Sequence, residues 1–362
     1  MRPETSKRLA WGIIACSVVT FAWAVLQHTA RTVYVYTPDL ASVPGVRMMD
    51  PNSGLFEIIR GEPNRVNVQW LKTALHAPAV CQVPRLGAGS VQVMGQVNDA
   101  GEYPVVVDTG YDGHLLVTDT VVQKCRLEVW PVADMGASMG GFCRVDRFRM
   151  GQMVIARPPA VYLLGHYEGR FLGRPTWVEK KIMLGLGVLS LFGHILIDNR
   201  SNEVLFAMNE PFIPQDPNLW RHYPMSIQEE PSIRHRLLWV EIPLAGETRR
   251  IVFDTGHDPA LTVSWANWQN LSQKLPPPRQ RKARVRRPYG YDECRVMTVR
   301  DLEVAGTCLR RVDVYVTDSV AGGWCLGMGA FRKTMLVLDF RSGLLWIRNS
   351  TVEPVSVSSS AD

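Results

Sequence analysis

The chain of 362 residues has seven cysteines and eight histidines, yet no Cys-x-x-Cys and no His-x-x-x-His spacing. A structural zinc site of the local kind therefore has no support in the sequence, and neither a metal nor a cofactor is expected. Nucleic-acid motifs and aromatic interleaving around the basic residues are also missing, which argues against nucleic acid as a partner despite the net charge of +6. Charge is absent altogether between Leu9 and Leu26. No polar face recurs there at helical spacing, so a buried soluble helix is disfavoured. The run is about long enough to cross a bilayer, and Arg2, Lys7 and Arg8 precede it. An uncleaved anchor is expected, with a cleaved signal peptide ending near Ala22 and Ala24 as the rival. Either reading places the rest of the chain on the extracytoplasmic side.

Strong helical signals are scarce as well. Glycine (29) and proline (24) punctuate short valine-rich runs, which points to an all-β chain. Six cysteines lie beyond the apolar segment, at 81, 125, 143, 294, 308 and 325. An exported domain permits disulfides among them, but the pairing is not fixed by sequence. Positive charge is concentrated in RQRKARVRR, residues 279–287, between prolines at 276–278 and 288. This reads as an exposed loop, either simply solvated or attracted to anionic lipid or an acidic partner.

What the chain does contain is a repeat. VVVDTGYDG at 105–113 returns as IVFDTGHDP at 251–259, with Asp254 over Asp108 at a shift of 146. Leu115 and Val117 then align with Leu261 and Val263 without a gap, and MLGLG at 183–187 aligns with CLGMG at 325–329 at a shift of 142. Small changes of shift are what loop insertions between shared strands produce. The expected organisation is a basic stub and anchor at 1–30, an extension at 31–79, a first lobe at 80–208, an extended proline-containing linker at 209–235, a second lobe at 236–350 and a disordered tail at 351–362.

Each copy ends an apolar strand on an aspartate, an arrangement that needs a physical reason. Two carboxyls brought into one site cannot both ionise cheaply; one keeps a proton and the pair titrates together, offering an acid and a base at once. The doubled Asp-Thr-Gly, each followed by an apolar pair and glycine (Met183-Leu184-Gly185 and Cys325-Leu326-Gly327), resembles the aspartic peptidases of the pepsin and retropepsin superfamily over about 80–350. The Asp-Thr-Gly-x-Asp form is most similar to two fused retropepsin-like units.

That resemblance implies a bilobal fold of two homologous β-rich lobes and a membrane-anchored aspartic endopeptidase. In it Asp108 and Asp254 would activate a water against a protein or peptide substrate. Thr109, Gly110, Thr255 and Gly256 would support the active-site turns. Asp112, Asp258, Gly140, Tyr289 and Tyr291 would contact substrate, the last three from glycine-rich flap hairpins. An inactive relative that binds extended peptides between the lobes is the alternative, and a carboxylate metal site with His114 or His257 is a weaker one. A monomer pairing its lobes within one chain is expected, since the linker keeps their effective concentration high. Tyr111 and His257 depart from the family pattern, which has a small residue after the glycine.

Overall fold

The structure is a computed structural model that describes residues 30–37, 40, 43, 46–50, 56–60, 66–70, 73–87, 89–132, 139–171, 174–231, 233, 235–287 and 290–348. It is mostly β, as composition and valine patterning led us to expect. The segment Leu9–Leu26 and the tail 351–362 lie outside the described residues. No helix among the described residues is long and apolar enough to cross a membrane, so the expected single-pass localisation is corrected and is not carried forward.

Two large sheets repeat one pairing scheme. In the first, the short strand Ile182–Leu184 runs parallel to Glu102–Val107 on one side and antiparallel to Leu115–Thr118 on the other. In the second, Trp324–Gly327 runs parallel to Glu247–Asp254 and antiparallel to Leu261–Val263. Strands Ala160–Leu163 and Thr307–Val316 each then lie parallel to the outer member of their set. With Gln92–Val97 and His235–Leu244 antiparallel to its other edge, the aspartate-bearing strand has strand neighbours on both sides in each copy. Continuous apolar runs such as Val105–Val107 and Ile251–Phe253 are buried accordingly.

A six-stranded portion of the second sheet joins the halves. Strands 80–84, 203–207 and 194–198 come from the first half and pair through 335–339 with 344–348 and 220–230 from the second. Residues 220–230, within the stretch read as a linker, form a strand that pairs with both 344–348 and 235–244. One contiguous apolar core runs from Val83 and Val105 in the first half to Phe253 and Ile347 in the second. Burial of that core is the main favourable term in folding.

Residues 279–287 depart from the expected loop. The basic run is a strand, antiparallel to Gly290–Val304, and it stands last in its sheet. The expectation of a loop is corrected on this point. A strand at a sheet edge tolerates, and gains solubility from, the lysine and arginine that make it look like a loop. The extension 31–79 also contributes a strand, Ala30–Tyr36, antiparallel to Gly165–Phe171. None of the six described cysteines forms a disulfide.

Candidate functional site

Where each aspartate-bearing strand stops, the chain turns, and the two turns face each other. Thr109 and Thr255 are fully buried between them. The Thr109 hydroxyl donates to the Phe253 carbonyl (2.7 Å) and accepts from the Thr255 N–H (3.0 Å). Thr255 answers with its hydroxyl donating to the Val107 carbonyl (2.6 Å) and accepting from the Thr109 N–H (3.1 Å). Four backbone groups at the buried strand ends are paired in this way. The interlock fixes the turns in register across the interface.

The apolar-apolar-glycine segments hold the turns from beneath. Asp108 N–H donates to the Leu184 carbonyl (2.9 Å), and Leu186 N–H to the Tyr111 carbonyl (2.8 Å). In the second copy, Met328 N–H donates to the His257 carbonyl (2.9 Å). The spacing that pairs each Asp-Thr-Gly with a later glycine is therefore a backbone docking requirement.

Gly110 and Gly256 show why the motif ends in glycine. A Cβ on Gly110 would fall 2.5 Å from an Asp254 carboxylate oxygen, and one on Gly256 would fall 2.5 Å from the Asp108 carboxyl carbon. Each glycine leaves room for the aspartate of the other half. Each turn also donates to its own acid: Gly110 N–H to Asp108 Oδ1 (2.9 Å) and Gly256 N–H to Asp254 Oδ1 (2.8 Å).

Asp108 is buried and Asp254 half-buried. Burial first, then the charge of Asp254 and a side-chain hydrogen bond to it, push the Asp108 carboxyl well above the usual carboxylate range. The ammonium of Lys181 and the Gly110 N–H oppose that shift without reversing it. A hydrogen bond between two carboxyls requires a proton on one of them. Two carboxyls set this close at a buried site therefore favour a state in which one of them keeps its proton.

The pair lies on the wall of a cavity of about 550 Å³. Its lining includes Ser90, Gln92, Lys181, His235, Arg284 and Tyr315. Lys181 carried no motif, although its place just ahead of the apolar strand 182–184 in the repeat was a usable signal. Arg284 and Val285 bring the basic hairpin to the cavity.

Asp112 and Asp258 cross between the halves. Asp112 accepts from the Arg236 N–H (3.0 Å) and from its Nε (2.7 Å), while Asp258 accepts from the Ser90 N–H. Both line the cavity. Gly140 does not: it is buried in strand Met139–Cys143, where a Cβ would strike Tyr162. Tyr291 stacks edge-on with Tyr167 (5.3 Å) and its hydroxyl donates to the Thr32 carbonyl (3.4 Å), tying the hairpin to the N-terminal strand. Tyr289 lies outside the described residues. His114 is not among the cavity residues, and burial, helped by the charge of Arg236, holds its pKa low.

No family model and no curated protein matches this chain. Among solved structures it is similar to the basic 7S globulin from soybean (12% identity, TM-score 0.38, covering 76% of this chain and 95% of that one). It is also similar to conglutin gamma, a basic 7S globulin from lupine seeds (11% identity, TM-score 0.40, covering 75% and 95%). The expected membership among the aspartic peptidases is corrected: no family model shows it, and the neighbours named here are basic 7S globulins. With it go the membrane-anchored endopeptidase and its inactive peptide-binding counterpart. A likeness at this level transfers no globulin property to the chain either.

Proposed function

We propose that the cavity between the two halves binds a neutral ligand through one hydroxyl or carbonyl oxygen set against the Asp108 and Asp254 carboxyls. The observation that carries this reading is the placing of both carboxyls, each against the glycine of the opposite turn, on the wall of one cavity with Asp108 buried, which favours a proton on one of them. A pair in that state presents one donor and one acceptor side by side and repels a second anion. Thr109, Gly110, Thr255 and Gly256 keep the carboxyls in place, while Asp112 and Asp258 line the approach. We also infer a monomer whose two lobes pair within the chain.

The test is a fragment screen by saturation-transfer NMR on the intact chain. It compares neutral alcohols and amides with carboxylates of similar size. Neutral fragments are expected to bind and to lose up to about tenfold in affinity in Asp108→Asn, because the amide cannot share a proton with Asp254 and the loss of one neutral hydrogen bond costs about 0.5–1.5 kcal/mol. Infrared difference spectra of the wild type should show a protonated carboxyl at neutral pH that the variant lacks. Equal binding of carboxylates, or unchanged binding in Asp108→Asn, would overturn the reading.

A further inference from the structure

The two copies of the turn are built alike but are lined differently at one corner. In the first half, Tyr111 packs on Val106, Leu116, Leu163 and Met183, an apolar cluster beside the cavity. The repeat places Val252, His257, Thr262 and Cys325 where the first half has Val106, Tyr111, Leu116 and Met183. Three of those four positions have changed from packing residues to residues that coordinate or hydrogen-bond.

The pairing of strands brings these residues to one spot. Cys325 lies opposite Thr262 on one side and opposite Val252 on the other. His257 Nε2 lies 2.7 Å from the Thr262 hydroxyl, so the ring is already oriented by a neighbour. A carboxylate oxygen of Asp254, a ring nitrogen of His257 and the Cys325 sulfur all lie within 4.8 Å of one another. Cys325 is buried, and Asp254 and His257 are half-buried and line the cavity.

The geometry points to a site for one zinc-like divalent ion held by Asp254, His257 and Cys325. Thiolate, imidazole and carboxylate together suit zinc or cobalt(II) and not magnesium or calcium, which take oxygen ligands. Three protein ligands leave a fourth position open to the cavity. Thr262 supplies the outer contact that orients the histidine. Binding forms the metal–sulfur bond as the Cys325 thiol releases its proton to solvent, so affinity rises with pH. Local spacing could not show this site, because the ligands come from a turn and from a strand far along the chain. The ion and the shared proton compete for Asp254, but the site stands whether or not the cavity takes a neutral ligand.

The test is equilibrium dialysis of the intact chain with Zn²⁺ and an optical titration with Co²⁺. About one ion per chain and a thiolate-to-cobalt charge-transfer band are expected. Cys325→Ser should abolish the band, and His257→Gln should weaken zinc binding about tenfold or more. Thr262→Val should weaken it by about tenfold. Cys308→Ser, which alters an exposed cysteine elsewhere, should change nothing. Circular dichroism of each variant separates loss of binding from loss of fold, and His257→Gln on its half-buried turn serves if Cys325→Ser does not fold. No band with Co²⁺, or full zinc affinity in folded Cys325→Ser or His257→Gln, would overturn the proposal.

Discussion

The turns at 108–113 and 254–259 share a backbone and differ in what fills the space behind it. Where the two halves must meet, they are alike: each threonine makes the same two bonds to the other half, and each glycine admits the opposing carboxyl. One position later they part. Tyr111 closes an apolar cluster, whereas His257 bonds to Thr262 near a thiol. Contacts across the interface require both partners to fit, so the repeat is held there. Behind the turn each half satisfies itself and is free to diverge.

The largest effect should come from the shared element. Thr109→Val or Thr255→Val removes a hydroxyl that serves as both donor and acceptor, leaving a buried carbonyl and a buried N–H without partners. Each unsatisfied group costs about 1–3 kcal/mol, so each variant should lose about 2–4 kcal/mol in equilibrium urea unfolding. The double variant should lose less than the sum, because the two hydroxyls act on one interlock. A loss below about 1 kcal/mol in both singles would mean that the turns are held by something else.

Next in size is the contrast behind the turns. Tyr111→Ala empties part of an apolar cluster and should cost about 2–3 kcal/mol, while Tyr111→Phe should be within about 0.5 kcal/mol of wild type. His257→Ala gives up one hydrogen bond and should cost about 1 kcal/mol. If His257→Ala proved the more damaging, the view of the first corner as packing and the second as polar would be wrong.

Much of this was open to the sequence reader and some was closed for physical reasons. The doubled Asp-Thr-Gly, its valine strands and the later glycine are local patterns with fixed spacing, and the structure places all of them at one interface. Tyr111 looked like a misfit because the family pattern has a small residue after the glycine; its side chain packs into the cluster around Met183. Strand 279–287 was misread because charge and flanking proline report exposure, which an edge strand and a loop share. Lys181 was marked only by its place ahead of strand 182–184, and the nearness of Cys325 to His257 was hidden, because their neighbours come from distant parts of the chain. Gly140 and Tyr291 were read from glycine-rich flap hairpins; Gly140 packs against Tyr162 and Tyr291 bonds to the Thr32 carbonyl, contacts between distant segments that local sequence does not show.

The smallest effect should fall on the outer ties between the halves, and it discriminates between charge and backbone as their source. Arg236 is about half exposed and its ion pair with Asp112 is open to solvent. Such pairs contribute about 0.2–1 kcal/mol and are screened by salt. Arg236→Ala should therefore cost no more than that, and the cost should shrink at high ionic strength. The Arg236 N–H survives in that variant and still donates to Asp112. Asp112→Ala removes both contacts, leaving the half-exposed N–H to water, and should cost more than Arg236→Ala under every salt condition. Equal costs at high salt would show that the backbone bond contributes nothing, and the resemblance of this tie to the one between Asp258 and the Ser90 N–H would then be geometric only.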